Sequence, residues 1–558
     1  MRSTFFRSFV VTATLLAFST LAAAQTAQPG RRTLPLTVDE AVRLALEHNP
    51  DLIADRLDPQ ISDTRVAGAA GAFKPSFNTG IQRNNQIQPP VGFLVPTPTA
   101  NDAVTSNAGV SQRLPWFGTT YGVSWNAVHT ESNSFLNSYN PLLQSGLSVN
   151  LSQPLVRDLS IDFARQQLAT TRVNRDIAGT RLQESVVHTT ASVKTAYWNL
   201  AAANGNLEAR QTALDLAREL VRVNQARVNV GQAPPLDLVS AQAEVASNEE
   251  QLIVAQTLVK IAEDRLRVLI LDTTDPDSWT VAIQTVDSPP INIVPIDLDG
   301  AIAGALRDRT DLQRGKFDIE NTQTNVKYAA SQRLPDVRLN ASYLASGLGG
   351  TEVIRSGGFP GTIIGSGSAI DFGNVLNQLF ERNYPTWAVG FSVSYPLGKS
   401  AEEANYARAQ LEKTQAQERL KATQSRVVQQ LREAAWKIEG NAKRIDTTRA
   451  AHELAEQRLD AEQKRYEVGL STNFLVIQAQ RDLAQAKTNQ LSAVLAYDLA
   501  LVDFEALQQA GPAGAPASST PAPATAAAPT PTAAAAAPAA LRAQTSGVPG
   551  VAGLAGQP

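Results

Sequence analysis

No cysteine occurs among the 558 residues of this chain. That excludes disulfides, thiolate metal sites and thiol nucleophiles, and it suits an oxidising compartment where stray thiols are a liability. Histidine is scarce too: His48, His129, His188 and His452 show no metal-ligand spacing and read as surface or helix-seam residues. Charged side chains make up 18% of the chain, below the roughly 25% usual in globular domains, and the net charge of −3 offers nothing to nucleic acid. HExxH and the nucleophile elbow are absent. Gly398-Lys399-Ser400 resembles the end of a phosphate-binding loop, but that motif needs glycine where Val393 stands, so the segment reads as a strand-to-helix turn. An enzyme is not expected, nor a cofactor or metal.

Long apolar runs are nearly missing as well. The one from Phe9 to Leu21 follows Arg2 and Arg7 and ends in Ala22-Ala23-Ala24, which predicts a signal peptide over 1–24 and a mature start at Gln25, not at a lipid-bearing cysteine. No later stretch approaches the about 20 apolar residues of a spanning helix. If the mature chain crosses a membrane, it must do so with strands. Residues 25–35 read as an N-terminal extension. From 511 to 558 the chain is almost all Ala, Pro, Thr, Gly and Ser with Arg542 its only charge, the composition of a disordered tail.

What the chain does contain is a long duplication. Val186, Val193, Leu200, Leu207, Leu214, Val221 and Val228 recur every seven residues, and then Val230-Gly231 is followed by Gln242. At a constant offset of 238, Leu431, Ile438, Ile445, His452, Leu459 and Tyr466 keep the step, with Val468-Gly469 followed by Gln480. A seven-residue apolar period imposes a left-handed supercoil, because a straight helix would let the stripe drift. The unbroken helices predicted over 160–228 and 400–467 are each about 100 Å long at 1.5 Å per residue. Helices near 37–73, 236–271, 297–333 and 474–508 are about half that. Two half-length helices end to end match one long one, and the short turns at Gly231 and Gly469 make each long helix antiparallel to the next.

Four segments alternate apolar and polar residues at the period of a strand with one wet face. They run through Phe77 to Ile81, Leu147 to Leu151, Val337 to Tyr343 and Trp387 to Tyr395. Proline marks each junction with a helix, at Pro75, Pro154, Pro335 and Pro396, since it neither continues a helix nor donates to a central ladder. Trp116, Trp125, Tyr384, Trp387 and Tyr395 cluster in these regions, as an interfacial aromatic girdle requires and as a soluble core would also allow. Membrane barrels need about eight strands, and an open edge in lipid costs several kcal/mol per unpaired group. Four strands predict that the chain oligomerises to finish its barrel. A further hairpin within 104–131, with Ala108 and Val110 facing Tyr121, Val123 and Trp125, either extends the barrel or folds over its outer mouth. The second is favoured, because the proline-bounded strands already form a set.

VGQAPPLDLVSAQAEV from Val230, VGLSTNFLVIQAQRDL from Val468, and the SQPL and SYPL junctions at Ser152 and Ser394 resemble the TolC-like outer-membrane efflux proteins, over about 36–508. The resemblance implies an α+β membrane protein: a homotrimer with a 12-stranded outer-membrane β-barrel continued by a long periplasmic α-helical coiled-coil barrel. Its parts would be a first repeat over 36–272, a periplasmic linker over 273–295 and a second repeat over 296–508. It implies a passive exit duct of a tripartite efflux or type I secretion system, with a periplasmic adaptor (membrane fusion protein), an inner-membrane pump and outer-membrane lipid as partners. Val230, Gly231, Val468 and Gly469 then fall on adaptor-docking tips, where glycine also serves a tight turn. Asp237, Tyr466, Phe474 and Leu475 fall at the periplasmic gate, although Asp237 also fits a first-turn acid and Tyr466 also fits core packing. Members with acidic gate rings carry Asp where this chain has Leu475 and Gln478, and Arg where it has Ser471, so closure by apolar contact through Phe474 and Leu475 is expected. The rival reading is a soluble periplasmic coiled-coil scaffold or adaptor, which would need the heptads but not the strands.

Overall fold

The computed structural model describes residues 33–90, 97–134, 137–272, 274–287, 295–358, 361–395, 397–398 and 400–512. The expected signal peptide, most of the tail and the junction at Pro396 lie outside the described residues.

Strand β1 (Thr33–Leu36) leads into helices α1 (Val38–His48), α2 (Pro50–Asp55) and α3 (Leu57–Gly71), then strands β2 (Ser76–Gln88), β3 (Thr99–Arg113), β4 (Thr120–Ser132) and β5 (Tyr139–Pro154). Helices α4 (Phe163–Asn229) and α5 (Pro235–Ile270) follow, then a 3-10 turn (Pro276–Thr280) and β6 (Ala282–Thr285). The second repeat comprises α6 (Leu298–Asp308), α7 (Thr310–Gln332), β7 (Asp336–Ser356), β8 (Thr362–Ile370), α8 (Phe372–Glu381), β9 (Tyr384–Ser394), α9 (Ala401–Glu467) and α10 (Asn473–Gln509).

The duplication holds to the residue in the two long helices. Both α4 and α9 have 67 residues, and adding 238 to the bounds of α4 gives those of α9. Each begins on a side-chain cap, with Asp162 accepting from the Arg165 N–H and Ser400 from the Glu403 N–H. The rising helices break where the chain forces them to. Pro50 disfavours a helical Asn49, whose side chain then caps α2 by accepting from the Leu52 N–H. In the second repeat the break falls at Arg309, buried and donating to the Leu507 carbonyl and to Gln430.

The heptad stripe is the core. Leu431, Ile438 and Ile445 of α9 pack with Tyr497 and Phe504 of α10. Val193 and Leu200 of α4 pack with Leu266 and Ile270 of α5 around Leu36 and Ile283. Each fully buried Leu or Ile contributes about 1.5–3 kcal/mol. Leu36 and Ile283 come from β1 and β6, which pair in parallel and clip the linker against α4. The Tyr197 hydroxyl donates to the Leu36 carbonyl at 2.9 Å and fixes this clip.

One antiparallel sheet runs β2-β3-β4-β5-β7-β9, with β8 paired to the distal part of β7 beyond β9. The expectation that the 104–131 hairpin folds over the outer mouth is overturned. β2 pairs with β3 along the whole length of β2, and β4 pairs with β5, so the hairpin sits between the first two proline-bounded strands. The physical reason is that β3 and β4 carry the same two-residue alternation as their neighbours, and pairing satisfies backbone groups that a fold-over loop would leave open. A count of four strands per chain is what the prolines alone mark; the hairpin raises it to six along the path. Register puts Phe77, Val110, Val123, Val149, Tyr343 and Trp387 on one face. On the other lie Asn78, Gly109, Ser124, Ser148, Ser342 and Ala388. A groove of ≈ 600 Å³, lined mostly from the polar face by residues such as Ser111, Asn150, Asn340 and Ser392, opens on that side.

Candidate functional site

Both helical tips end in the same hydrogen-bonded turn. At the first, the Gly231 N–H donates to the Val228 carbonyl at 3.0 Å and the Gln232 N–H to the Arg227 carbonyl at 2.8 Å. At the second, Gly469 donates to Tyr466 at 3.1 Å and Leu470 to Arg465 at 2.8 Å. These are paired Schellman bonds, which require a left-handed residue just past the helix. Gly231 and Gly469 take φ of 76° and 80°. Nothing lies within 4 Å of a Cβ built at either glycine, so the backbone conformation alone selects the residue. Val230 and Val468 are 68% and 69% exposed, and Leu236, Leu470 and Phe474 are exposed beside them. They leave an apolar patch exposed at the end of the coiled coil, above the buried cluster of Leu220, Leu459, Val476 and Ile477.

Behind the tips lies a polar knot that links the two repeats. Asn224 of α4 is fully buried; its amide donates to Asn473 Oδ1 at 2.8 Å, and its carbonyl accepts from the Tyr466 hydroxyl at 2.5 Å. Asn473 in turn donates to the Asp237 carbonyl at 3.1 Å and to the Ser240 hydroxyl at 2.8 Å. The Arg227 guanidinium stacks 4.3 Å from the Tyr466 ring centroid and donates to the Glu467 carbonyl at 2.8 Å. Burial pushes the Tyr466 hydroxyl above its ordinary pKa, so it stays a donor. Higher up, Arg481 donates twice to the buried Glu244 carboxylate, at 2.6 and 3.0 Å, and this pairing raises its pKa.

Of the expected gate residues, the tip brings together two. Tyr466 is buried in the knot, and Asp237 contributes its backbone carbonyl from the first turn of α5. Phe474 and Leu475 stand outside it, 70% and 41% exposed. Ser471, where some family members carry Arg, donates to Glu462 at 2.7 Å, and Gln478 donates to Asp482 at 2.8 Å. Sequence reasoning missed Asn224 and Asn473. Their positions in the other repeat hold Glu462 and Pro235, so matching the two copies could not find them. The available signal was a lone Asn three residues after the heptad Val221.

Pro75 lies between α3 and β2, Pro154 is the last residue of β5 and Pro335 lies between α7 and β7. The turn from β5 to α4 is tied to the one from α7 to β7, since Asp158 accepts from Gln332 at 2.7 Å and from Arg338 at 3.0 Å. The β3–β4 turn, Leu114 to Thr119, docks on the same collar. There a Cβ on Gly118, at φ 66°, would lie 2.9 Å from the Asp158 carbonyl oxygen.

Among the described residues no helix is long and apolar enough to cross a membrane and no cluster could hold a metal ion. The model of a family described as outer membrane efflux protein matches residues 99–270 and 301–508, more than half of the chain. No curated protein matches it. Among solved structures, a membrane protein from Pseudomonas aeruginosa aligns at 15% identity with a TM-score of 0.61, covering 84% of this chain and 93% of that one. The outer membrane protein VceC of Vibrio cholerae aligns at 18% identity and TM-score 0.58, covering 85% and 96%. The CmeC outer membrane channel of Campylobacter jejuni aligns at 16% and 0.59, covering 84% and 85%. At these identities the structures speak for the fold, a strand sheet continued by a duplicated helical coiled coil. The chain belongs to the outer membrane efflux protein family, passive channels of the outer membrane that extend into the periplasm, and is not an enzyme.

Proposed function

We propose that three copies of this efflux protein close one barrel and form the exit duct for an inner-membrane pump, which they meet through a periplasmic adaptor. The observation that carries this reading is the sheet itself. Its six-strand path ends at β2 and β9, and among the described residues each keeps a free edge. In lipid those unpaired backbone groups cost several kcal/mol each, and pairing β2 of one copy with β9 of the next removes the cost. Three such chains would give eighteen strands, against the twelve that four per chain supply. The apolar face then meets lipid, and Asn, Ser and Gly line the water-filled side.

At the other end, Val230, Gly231, Val468 and Gly469 present the adaptor-docking surface. The Tyr466–Asn224–Asn473 knot holds each chain's two tips together, while exposed Phe474 and Leu475 from three copies meet on the axis and shut the entrance. The test is the native mass of the mature protein extracted from outer membranes in mild detergent. A trimer is expected. A membrane-bound monomer would refute the shared barrel. Reversible block by divalent cations at the periplasmic side would refute an apolar gate.

A further inference from the structure

Among the described residues the segment between β8 and β9 has no equivalent in the first repeat, and its helix α8 lies on the apolar face of the sheet. Gly347 and Gly349 of β7 leave room for it: a Cβ on either would come within 2.3–2.4 Å of Val375 atoms. They share a face with Ala345, Leu147 and Tyr343, the side opposite the groove. Val375 and Leu379 are buried against the sheet. Gln378 donates to the Leu348 carbonyl at 3.1 Å and accepts from its N–H at 3.0 Å, replacing a strand partner just where β9 has ended.

The rest of the α8 surface is divided lengthwise. Phe372, Leu376 and Phe380 fall at four-residue spacing and form one stripe, with Phe380 77% exposed. Asn374, Asn377 and Glu381 occupy the opposite flank and are exposed. Height along the barrel follows from the register. Gly347 is eleven residues past the start of β7 at Asp336. At 3.3 Å per residue that is roughly 36 Å along the strand, or roughly 28 Å of height for a tilt of about 40°. The apolar band of such barrels is roughly 25 Å tall, flanked by aromatic girdles. Tyr343, Trp387 and Tyr384 lie at or just below this level. The helix thus sits where the lipid-facing surface ends, and its apolar stripe continues that surface.

We propose that α8 is a lipid-binding belt helix, lying in the outer-leaflet interface with Phe372 and Phe380 among acyl chains and the Asn374–Glu381 flank in the headgroups. Helices with one apolar and one polar flank bind at this depth. The inference rests on the barrel reading above, and it assigns this insertion of the second repeat a partner, lipid acyl chains and headgroups, and a task, fixing the vertical seat of the channel.

The absence of cysteine makes the test clean. Phe380→Cys, Asn377→Cys and, as a barrel control, Val149→Cys each carry one spin label on the full mature chain in phosphatidylethanolamine–phosphatidylglycerol vesicles. Heat-modifiable migration verifies folding of each. Collisions with dissolved oxygen are expected to exceed those with a water-soluble nickel chelate at Phe380, as at Val149, and to reverse at Asn377. A Phe380 label as open to nickel as Asn377 places the stripe in water and overturns the proposal. A label shielded from both reagents means that protein covers the stripe, which also overturns it. Loss of the oxygen preference at Val149 sinks the barrel reading itself and is told apart by that control.

Discussion

Removing the Asn224 amide tests whether the polar knot sets the closed state. Asn224 is fully buried; it accepts from the Tyr466 hydroxyl and donates to Asn473 Oδ1 and, at 3.4 Å, to the Asp237 carbonyl. Asn224→Ala takes this partner from the Tyr466 hydroxyl and from Asn473 Oδ1 in a place water reaches only if the tip loosens, at about 1–3 kcal/mol each. Some relaxation around Asn473, which keeps its bonds to Asp237 and Ser240, brings the total to about 2–4 kcal/mol. The long helices are held elsewhere by the heptad core, so the loss falls on the tip and not on the trimer. Every 1.4 kcal/mol is tenfold in an equilibrium, so the closed tip weakens by roughly 30- to 1,000-fold against the open one. Single-channel recording in planar bilayers reads this as higher conductance or longer openings. Tyr466→Phe removes one hydroxyl and shifts the balance by about 1 kcal/mol in the same direction. The double variant is expected to fall short of the sum, because the two share one bond. Wild-type conductance in Asn224→Ala, with the trimer intact, would refute the latch.

Asp498 of α10 is buried with both carboxylate oxygens unpaired among the described residues, and burial raises its pKa from 3.8 to about 7. Between those values the unfolded chain holds fewer protons there than the folded one, so stability falls as pH rises from about 4 to about 7. Asp498→Asn removes that dependence and stabilises the protein above pH 7 by up to about 4 kcal/mol; urea melts of the helical signal at pH 5 and pH 8 check it, and equal shifts at both would contradict it. Gly231→Ala and Gly469→Ala meet no steric neighbour, so each costs only the left-handed backbone, about 1–2 kcal/mol, and Asn at either position is expected to restore most of it. Gly347→Val forces its Cβ into the Val375 carbonyl oxygen 2.3 Å away, and limited proteolysis within 372–381 of intact cells should rise if α8 is displaced.

Much of the site was legible in particular residues and some was not. The tip glycines were readable because a helix ending in Val-Gly twice, at one offset, needs a left-handed turn twice. Pro75, Pro154 and Pro335 marked junctions because proline cannot serve either neighbour. The 104–131 hairpin reads as strands in the sequence but its place does not, since alternation tells which face of a strand is apolar and not which strand lies beside it. The sequence suits Tyr466 equally to gate or core for a similar reason, since its partner Asn224 lies 242 residues away.

Sequence by itself determined what depends on local periodicity: the seven-residue stripe, the two-residue alternation, the breaks at proline and glycine, and a duplication that must build paired long helices and incomplete sheets. Tertiary structure alone decided what depends on contact across hundreds of residues. It placed β3 and β4 between β2 and β5, set α8 on the apolar face and tied Asn224 to Tyr466. Those choices follow from pairing buried backbone groups and burying side chains in three dimensions, where a residue's partners are fixed by the fold and not by its neighbours in the chain.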